Sequence, residues 1–520
     1  MPAFPFPAFL RHTRGWRRLA MLTGLGIVGA IGAFALGVLW PEPSLVPPPQ
    51  QQRLIVRGVT IVDVEDGALV PGRTVVIEHG RIVAVHATVP GDDVGGSQVI
   101  DGHGYFAMPA LWDMHTHVYA FADLLDLPLH VAFGVTHVRD MMGCPAEHDP
   151  FIACADQKRA WTREALAGVR VAPRIVSSAS FMAHGPATRR RVREAAWYLD
   201  ASTPEAARAF VRAFAPTVDE IKVYDGLPAD AYRALVDEAR RVGRPVVGHR
   251  PHAVDGFEAV RHQKSIEHAR LLLHETFDGA DALRASAGTP AWHEDRRRMV
   301  DRHDPAKARA LLEAMREAGT WYVPTHLTRW VDGYAEHDDV RRHPTLRYMH
   351  PLLRLQWFED LDALVAADPT PAGRRAHRDF HTKGLELTGQ AHRLGVKVLA
   401  GTDTLVGGAA LHLELEQLVA AGLSTAEVLR AATLHGAAYY GRDHEAGRIA
   451  VGHEGDLVLL RADPLQDIRH TTAIAAVVFD GRVFDDLALE AIRAHVAAQA
   501  RSLTVACKVL WRFVRHPQAY

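Results

Sequence analysis

Asparagine is absent from the 520 residues, so the chain carries no N-glycosylation sequon. Lysine is nearly as scarce. Only seven of the 59 basic residues are lysine, and each one in a strand-like context therefore invites a question. An excess of either charge sign is also missing. The formal net charge is −2 with both signs mixed along the chain, which gives no footprint for nucleic acid and leaves small-molecule chemistry as the default.

Long apolar runs are lacking too, with one exception. Arg11, Arg14, Arg17 and Arg18 precede "LAMLTGLGIVGAIGAFALGVLW", residues 19–40. As a helix this stretch could cross a hydrocarbon layer of about 30 Å. A cleaved signal usually has a shorter apolar core of about 7–15 residues, so the expectation is an uncleaved anchor, with cleavage after "AFA" and secretion as the alternative. Basic residues before the span place the N-terminus inside and everything after residue 40 outside the cytoplasm. In that compartment Cys144 and Cys154, which enclose "CPAEHDPFIAC", can pair, whereas Cys507 has no evident partner.

Six segments are expected. Residues 1–18 are a basic segment, 19–40 the anchor and 41–52 a Pro-rich tether. Residues 53–100 and 441–490 carry short β-branched runs and form one composite β-sandwich domain from both chain ends. Residues 101–440 alternate apolar runs with amphipathic helical stretches, and 491–520 are a C-terminal tail. Eight candidate strands in the middle region predict an α/β architecture, a (β/α)8 TIM-like barrel. The stretch 275–385 is too long for a simple connection and reads as helices lying over the barrel mouth, with peripheral helices that do not touch the site as the alternative.

In such a barrel the chemistry sits at the C-terminal strand ends. The first strand ends "DMHTH", and His115 and His117 point the same way because side chains alternate along a strand. Later strands end at Lys222 in "EIKVY", His249 in "VVGHRP", His268 in "SIEHA" and Asp403 in "LAGTD". An ammonium cannot bind a cation and is costly to bury. Carboxylation of Lys222 by carbon dioxide would give a carbamate able to bridge two cations; the alternative is an ion pair with Asp219 or Glu220. His184, His137, Arg139, His326 and His412 lie at or just past strand ends as candidate substrate contacts. Arg139 or Arg250 could meet a substrate carboxylate.

This combination resembles the amidohydrolase superfamily, in its prolidase-like, imidazolonepropionase-related branch, over residues 53–485. "DMHTH", "IKVYDG", "SIEHA", "GTD" and "LHLELEQLVAAGLSTAEVLRAATLHGAAYYG" carry the resemblance. It implies two zinc ions or other divalent cations. His115, His117, Lys222 and Asp403 would hold one; Lys222, His249 and His268 would hold the other. It further implies a metal-bridging hydroxide as nucleophile, Asp403 as proton shuttle, and Tyr224 hydrogen-bonding the substrate carbonyl. The expected substrate is a small amide, a dipeptide or an N-acyl amino acid. Self-association is left open. A cyclic amide or imidazolone hydrolase, or a deaminase, is the second enzyme reading, and a tethered non-catalytic binding protein the third. Deaminases of the superfamily usually place a glutamate where this chain has His252. Two departures from the family pattern stand out: a short "TLVGGAA" after "GTD", and "VGH" at 451–453 in place of "PGK".

Overall fold

Valine and isoleucine crowd residues 53–63 between turn-forming neighbours, and the run folds as the long first strand of a mixed sheet. The computed structural model describes residues 13–89, 97–145, 149, 151–185, 198–404 and 406–515; Arg11, Leu405 and the side chains of Arg14, Arg17 and Arg18 lie outside the described part. Strands β1 (Arg53–Asp63), β2 (Ala68–Glu78) and β3 (Arg81–Ala87) pair antiparallel, while β4 (Gln98–Asp101) and β5 (Phe106–Pro109) run parallel to β1.

The middle of the chain is parallel. Strands β6 (Leu111–Thr116), β7 (Val135–Asp140) and β8 (Arg174–Ser178) form one sheet. A second sheet comprises β9 (Ala183–His184), β10 (Leu199–Asp200), β11 (Ile221–Val223), β12 (Val246–Gly248), β13 (Gln263–Glu267) and β14 (Trp321–Val323), in the order β10-β9-β11-β12-β13-β14. Backbone contacts link the two sheets at both ends. Ala179 bridges Glu220 on one side; on the other, Val398 bridges Tyr322 and Ala400 O accepts from Met114 N at 2.9 Å. Helices between the strands bury one stripe. The helix Ala229–Arg241, for example, turns Ala231, Tyr232, Leu235 and Ala239 inward and its arginines outward. Strands β15 (Leu457–Leu460), β16 (Ile474–Phe479) and β17 (Arg482–Asp485) then join the first sheet through β5, so both ends of the folded chain build one eight-stranded sheet.

The stretch 275–385 divides in two. The helix Pro305–Ala318 packs beside the helix Gly256–His262, away from the strand ends. The helices His326–Gly333 and Pro351–Ala367 instead bring Leu327, Trp330, Trp357 and Leu361 around a cavity that reaches His117 and Asp403. Residues expected as a tail are helical as far as Arg515, because Val505, Val509 and Phe513 recur every four residues and pack into the core, with the Phe513 ring 4.8 Å from that of Phe151. The N-terminal helix Thr13–Leu39 contains, in Met21–Leu39, a span long and apolar enough to cross a membrane. Cys144 and Cys154 form a disulfide with Cα atoms 4.9 Å apart, and Cys507 is a free thiol beside Gly37.

Candidate metal centre

The C-terminal end of β6 delivers both histidines of "DMHTH". His115 is fully buried and His117 partly so, with ring centroids 5.5 Å apart. Asp403 closes the segment that pairs with β6: its Oδ1 lies 3.3 Å from His117 Nε2 and 3.6 Å from His115 Nε2. The approach needs glycine, because a Cβ at Gly401 would sit 2.9 Å from His115 N. His268, after β13, reaches the other carboxylate oxygen of Asp403 at 3.6 Å, and its ring is 5.0 Å from His115 and 4.5 Å from His249. Lys222 on β11 is buried and lines the same cavity as His117, His249, His268 and Asp403. The six ligand-type residues expected from sequence thus converge on one rim.

Their protonation states suit a cation. Burial pushes His115, His117 and His268 well below the usual imidazole range, and His249 down to about 4. The neutral rings keep lone pairs available, and His115 Nε2 and His117 Nε2 are buried with no hydrogen-bond partner. The ligand atoms of His115, His117 and Asp403 lie within 4.8 Å of one another. Imidazoles plus a carboxylate are the donors a zinc-type cation takes, so the residues present fit one. Burial also raises Asp403 to about 6 and lowers Lys222 to about 8. The alternative ion pairs for Lys222 are not formed. Glu220 accepts from Arg139 at 2.8 Å and Asp219 accepts from Ser178 N at 2.9 Å. The other fully buried lysine, Lys158, donates to Asp140 at 2.5 Å.

Several supporting residues were not singled out from sequence. Glu267 Oε2 accepts from His115 Nδ1 at 3.0 Å, which turns Nε2 toward Asp403. Asp113 accepts from His115 N, Thr402 N and Thr402 Oγ1, tying the first and last strand ends together. Asp225 lies 3.5 Å from both His249 Nδ1 and His184 Nε2. The backbone is strained at this rim: His268, Thr325 and Asp403 have φ of 69°, 45° and 53°, each costing on the order of 1–3 kcal/mol.

The candidate substrate contacts separate into two groups. His184 and Tyr224 line the larger cavity, and Tyr224 stacks on His249 with centroids 4.1 Å apart. Arg139 is fully buried below the rim, bonded to Glu220, Glu267, Ser265 and Tyr439. Arg250 donates to the carbonyls of Leu271, Pro251 and Val254. His137 pairs with Glu454 at 3.0 Å, stacked on Trp112. His326 binds Thr388, and His412 binds Thr471 and Phe133 O. None of these five lines the cavities that reach Asp403. Two other arginines line the larger one: Arg270, whose Nη2 donates to Asp225 at 3.3 Å, and Arg329, which is paired with Asp332.

The parallel strands carry a rim of histidines and a carboxylate, and the family model described as "Amidohydrolase family" matches residues 106–484. The chain belongs to the amidohydrolase family. Among solved structures, it is similar to the bottromycin amidohydrolase, at 22% identity and a TM-score of 0.62, over 87% of this chain and 91% of that one. It is also similar to a Xaa-Pro dipeptidase with methionine bound in its active site, at 17% identity and a TM-score of 0.56, over 83% of this chain and all of that one. In sequence it matches an adenine deaminase of Desulforamulus reducens, 40% identical over 65 residues, which span 12% of this chain and 10% of the deaminase.

Proposed function

We propose that the chain is a binuclear zinc-dependent hydrolase of amide bonds in dipeptides or N-acyl amino acids. The observation that carries this reading is the convergence of His115, His117 and Asp403, with Lys222, His249 and His268 lining the same rim. His115, His117, a Lys222 carbamate and Asp403 would hold one cation; the carbamate, His249 and His268 would hold the second. Bound divalent cations supply Lewis acidity toward water and the scissile carbonyl. Asp403, raised to about 6 by burial, takes a proton from the attacking water and returns it to the departing nitrogen. Tyr224, beside Lys222 in the cavity wall, donates to the carbonyl oxygen as charge grows on it. Arg270 supplies the cation for a substrate carboxylate, in place of Arg139 and Arg250, which line neither cavity that reaches Asp403. The backbone links between the two parallel sheets support a closed (β/α)8 barrel over residues 101–440. The shared eight-stranded sheet supports one composite β-domain from 53–100 and 441–490.

The same reading tethers the enzyme by residues 19–40 with the catalytic part outside the cytoplasm, supported by an apolar helix with none of Met21–Leu39 packed inside the protein and by the Cys144–Cys154 bond. The deaminase match favours a second reading, release of ammonia from an aminopurine. One experiment separates them. Zinc-loaded protein should carry about two ions per chain, hydrolyse N-acyl amino acids or dipeptides, lose activity to a chelator and regain it with zinc. Ammonia released from adenine without amide cleavage would reverse the choice, and failure to bind zinc at all would remove both.

A further inference from the structure

The rim opens in two directions, and the two arms differ in chemistry. The larger, of about 1180 Å³, passes Lys222, Tyr224, His252 and Arg270, so charged and polar groups are set among its apolar walls. The smaller, of about 330 Å³, starts at the same His117 and Asp403 and runs between the helices His326–Gly333 and Pro351–Ala367. Its walls are Trp330, Leu346, Met349, Trp357, Leu361 and Val406. That volume falls within the range of ligand pockets, roughly 300–1,000 Å³. Of the wall's carboxylates beyond Asp403, Asp332 forms an ion pair with Arg329 and Asp360 has a partner of its own.

We infer that this arm receives the acyl group of the substrate, and that the enzyme is built for N-acyl amino acids with a medium-length or aryl-bearing acyl chain rather than for dipeptides. The inference rests on the hydrolase reading above. A dipeptide would carry its α-ammonium toward these tryptophans and leucines, where a cation loses its water and meets carboxylates that are already engaged. A hydrocarbon chain loses nothing there and buries its surface. With the chain so placed, the amide lies at Asp403 and the amino-acid carboxylate enters the larger arm toward Arg270. Water adds to the carbonyl carbon and the C–N bond breaks, yielding the free carboxylic acid and the amino acid. No other reactant is consumed.

The test compares N-octanoyl-L-alanine, N-acetyl-L-alanine and alanyl-alanine on the full zinc-loaded chain. The octanoyl compound should show kcat/KM about a hundredfold above the other two, the order expected when several methylenes leave water. Leu364→Trp, which fills the cavity wall, should cut the octanoyl-to-acetyl ratio by roughly tenfold; Trp357→Ala should shift the preferred acyl length upward. Turnover of the short substrates at an equal or greater rate overturns the inference while the hydrolase reading stands. If none of the three is cleaved, the hydrolase reading falls and calorimetric binding decides the cavity. Tighter binding of N-octanoyl-L-alanine than of N-acetyl-L-alanine upholds it, and equal binding removes it.

Discussion

Glu267 never touches the cavity, yet it sets the direction of His115. It accepts from His115 Nδ1 and, through its other oxygen, from Arg139 at 3.1 Å and Ser265 at 2.6 Å. Glu267→Gln puts an amide NH2 against one of those donors. Zinc affinity, measured by chelator competition, should fall about 10–100-fold, with secondary structure retained because Glu220 still holds Arg139. Unchanged affinity would remove Glu267 from this role. Asp403→Asn keeps shape and loses basicity, so turnover should drop by on the order of 10²–10⁴-fold with an unaltered circular dichroism spectrum; a near-normal rate excludes Asp403 as the proton carrier. Lys222→Ala should lose zinc and regain part of it with a short carboxylate such as propionate, whereas retention of two zincs unaided excludes the bridge. The candidate ligand positions were legible because each lies at or near the end of an apolar run, a local pattern. Glu267 was less so, although it directly precedes His268. A buried carboxylate beside a histidine reads equally as an ion-pair partner, and only the fold reveals that His115, 152 residues away, is its partner. Arg270 and Arg139 show the same limit from the other side, since Arg139 lies near the end of β7 and Arg270 just past β13, but of the two only Arg270 meets the cavity.

At the scale of elements, the helix His326–Gly333 begins without a side-chain cap from its own neighbours. Its first amides instead donate to Glu414, on the helix Ala409–Ala420: His326 N at 2.9 Å and Leu327 N at 2.7 Å. Burial outweighs these bonds and pushes the Glu414 carboxyl up to about 8 from its ordinary value of 4.5. The folded chain therefore holds a proton that the unfolded chain releases, so this group's contribution is complete below pH 4.5 and is lost as pH rises through about 8. Glu414→Gln, neutral at every pH, should flatten the fall in urea midpoint between pH 5 and 9. Parallel pH curves for the two proteins would show that Glu414 does not titrate in this window. Such a cap, from a residue 88 positions away, cannot be read from local spacing. The strands themselves were readable as β-branched runs. Strands β9 and β10, two residues each, were not, since pairing so short leaves no periodicity.

For the whole molecule, the C-terminal helix Leu503–Arg515 has more apolar surface than the protein body can cover. Val505, Val509 and Phe513 face the core, but Leu503, Leu510, Trp511 and Val514 form a second stripe that stays exposed. The N-terminal helix Thr13–Leu39 covers part of it. Phe34 meets Trp511 edge-on with ring centroids 6.5 Å apart, Gly37 admits Cys507, and Trp40 O accepts from Lys508 at 2.5 Å. A form consisting of residues 41–520 loses that cover, and a contiguous apolar patch at one end of the protein meets water. It should fold, because none of Met21–Leu39 is packed inside the protein, but self-associate without detergent. Introducing Leu510→Gln and Trp511→Gln together should return it to a monomer in sedimentation velocity, because each places an amide where the stripe was continuous. If the unsubstituted 41–520 form sediments as a monomer at high concentration, the stripe is not sticky and the contact with the N-terminal helix is incidental. If the doubly substituted form still associates, the adhesive surface lies elsewhere.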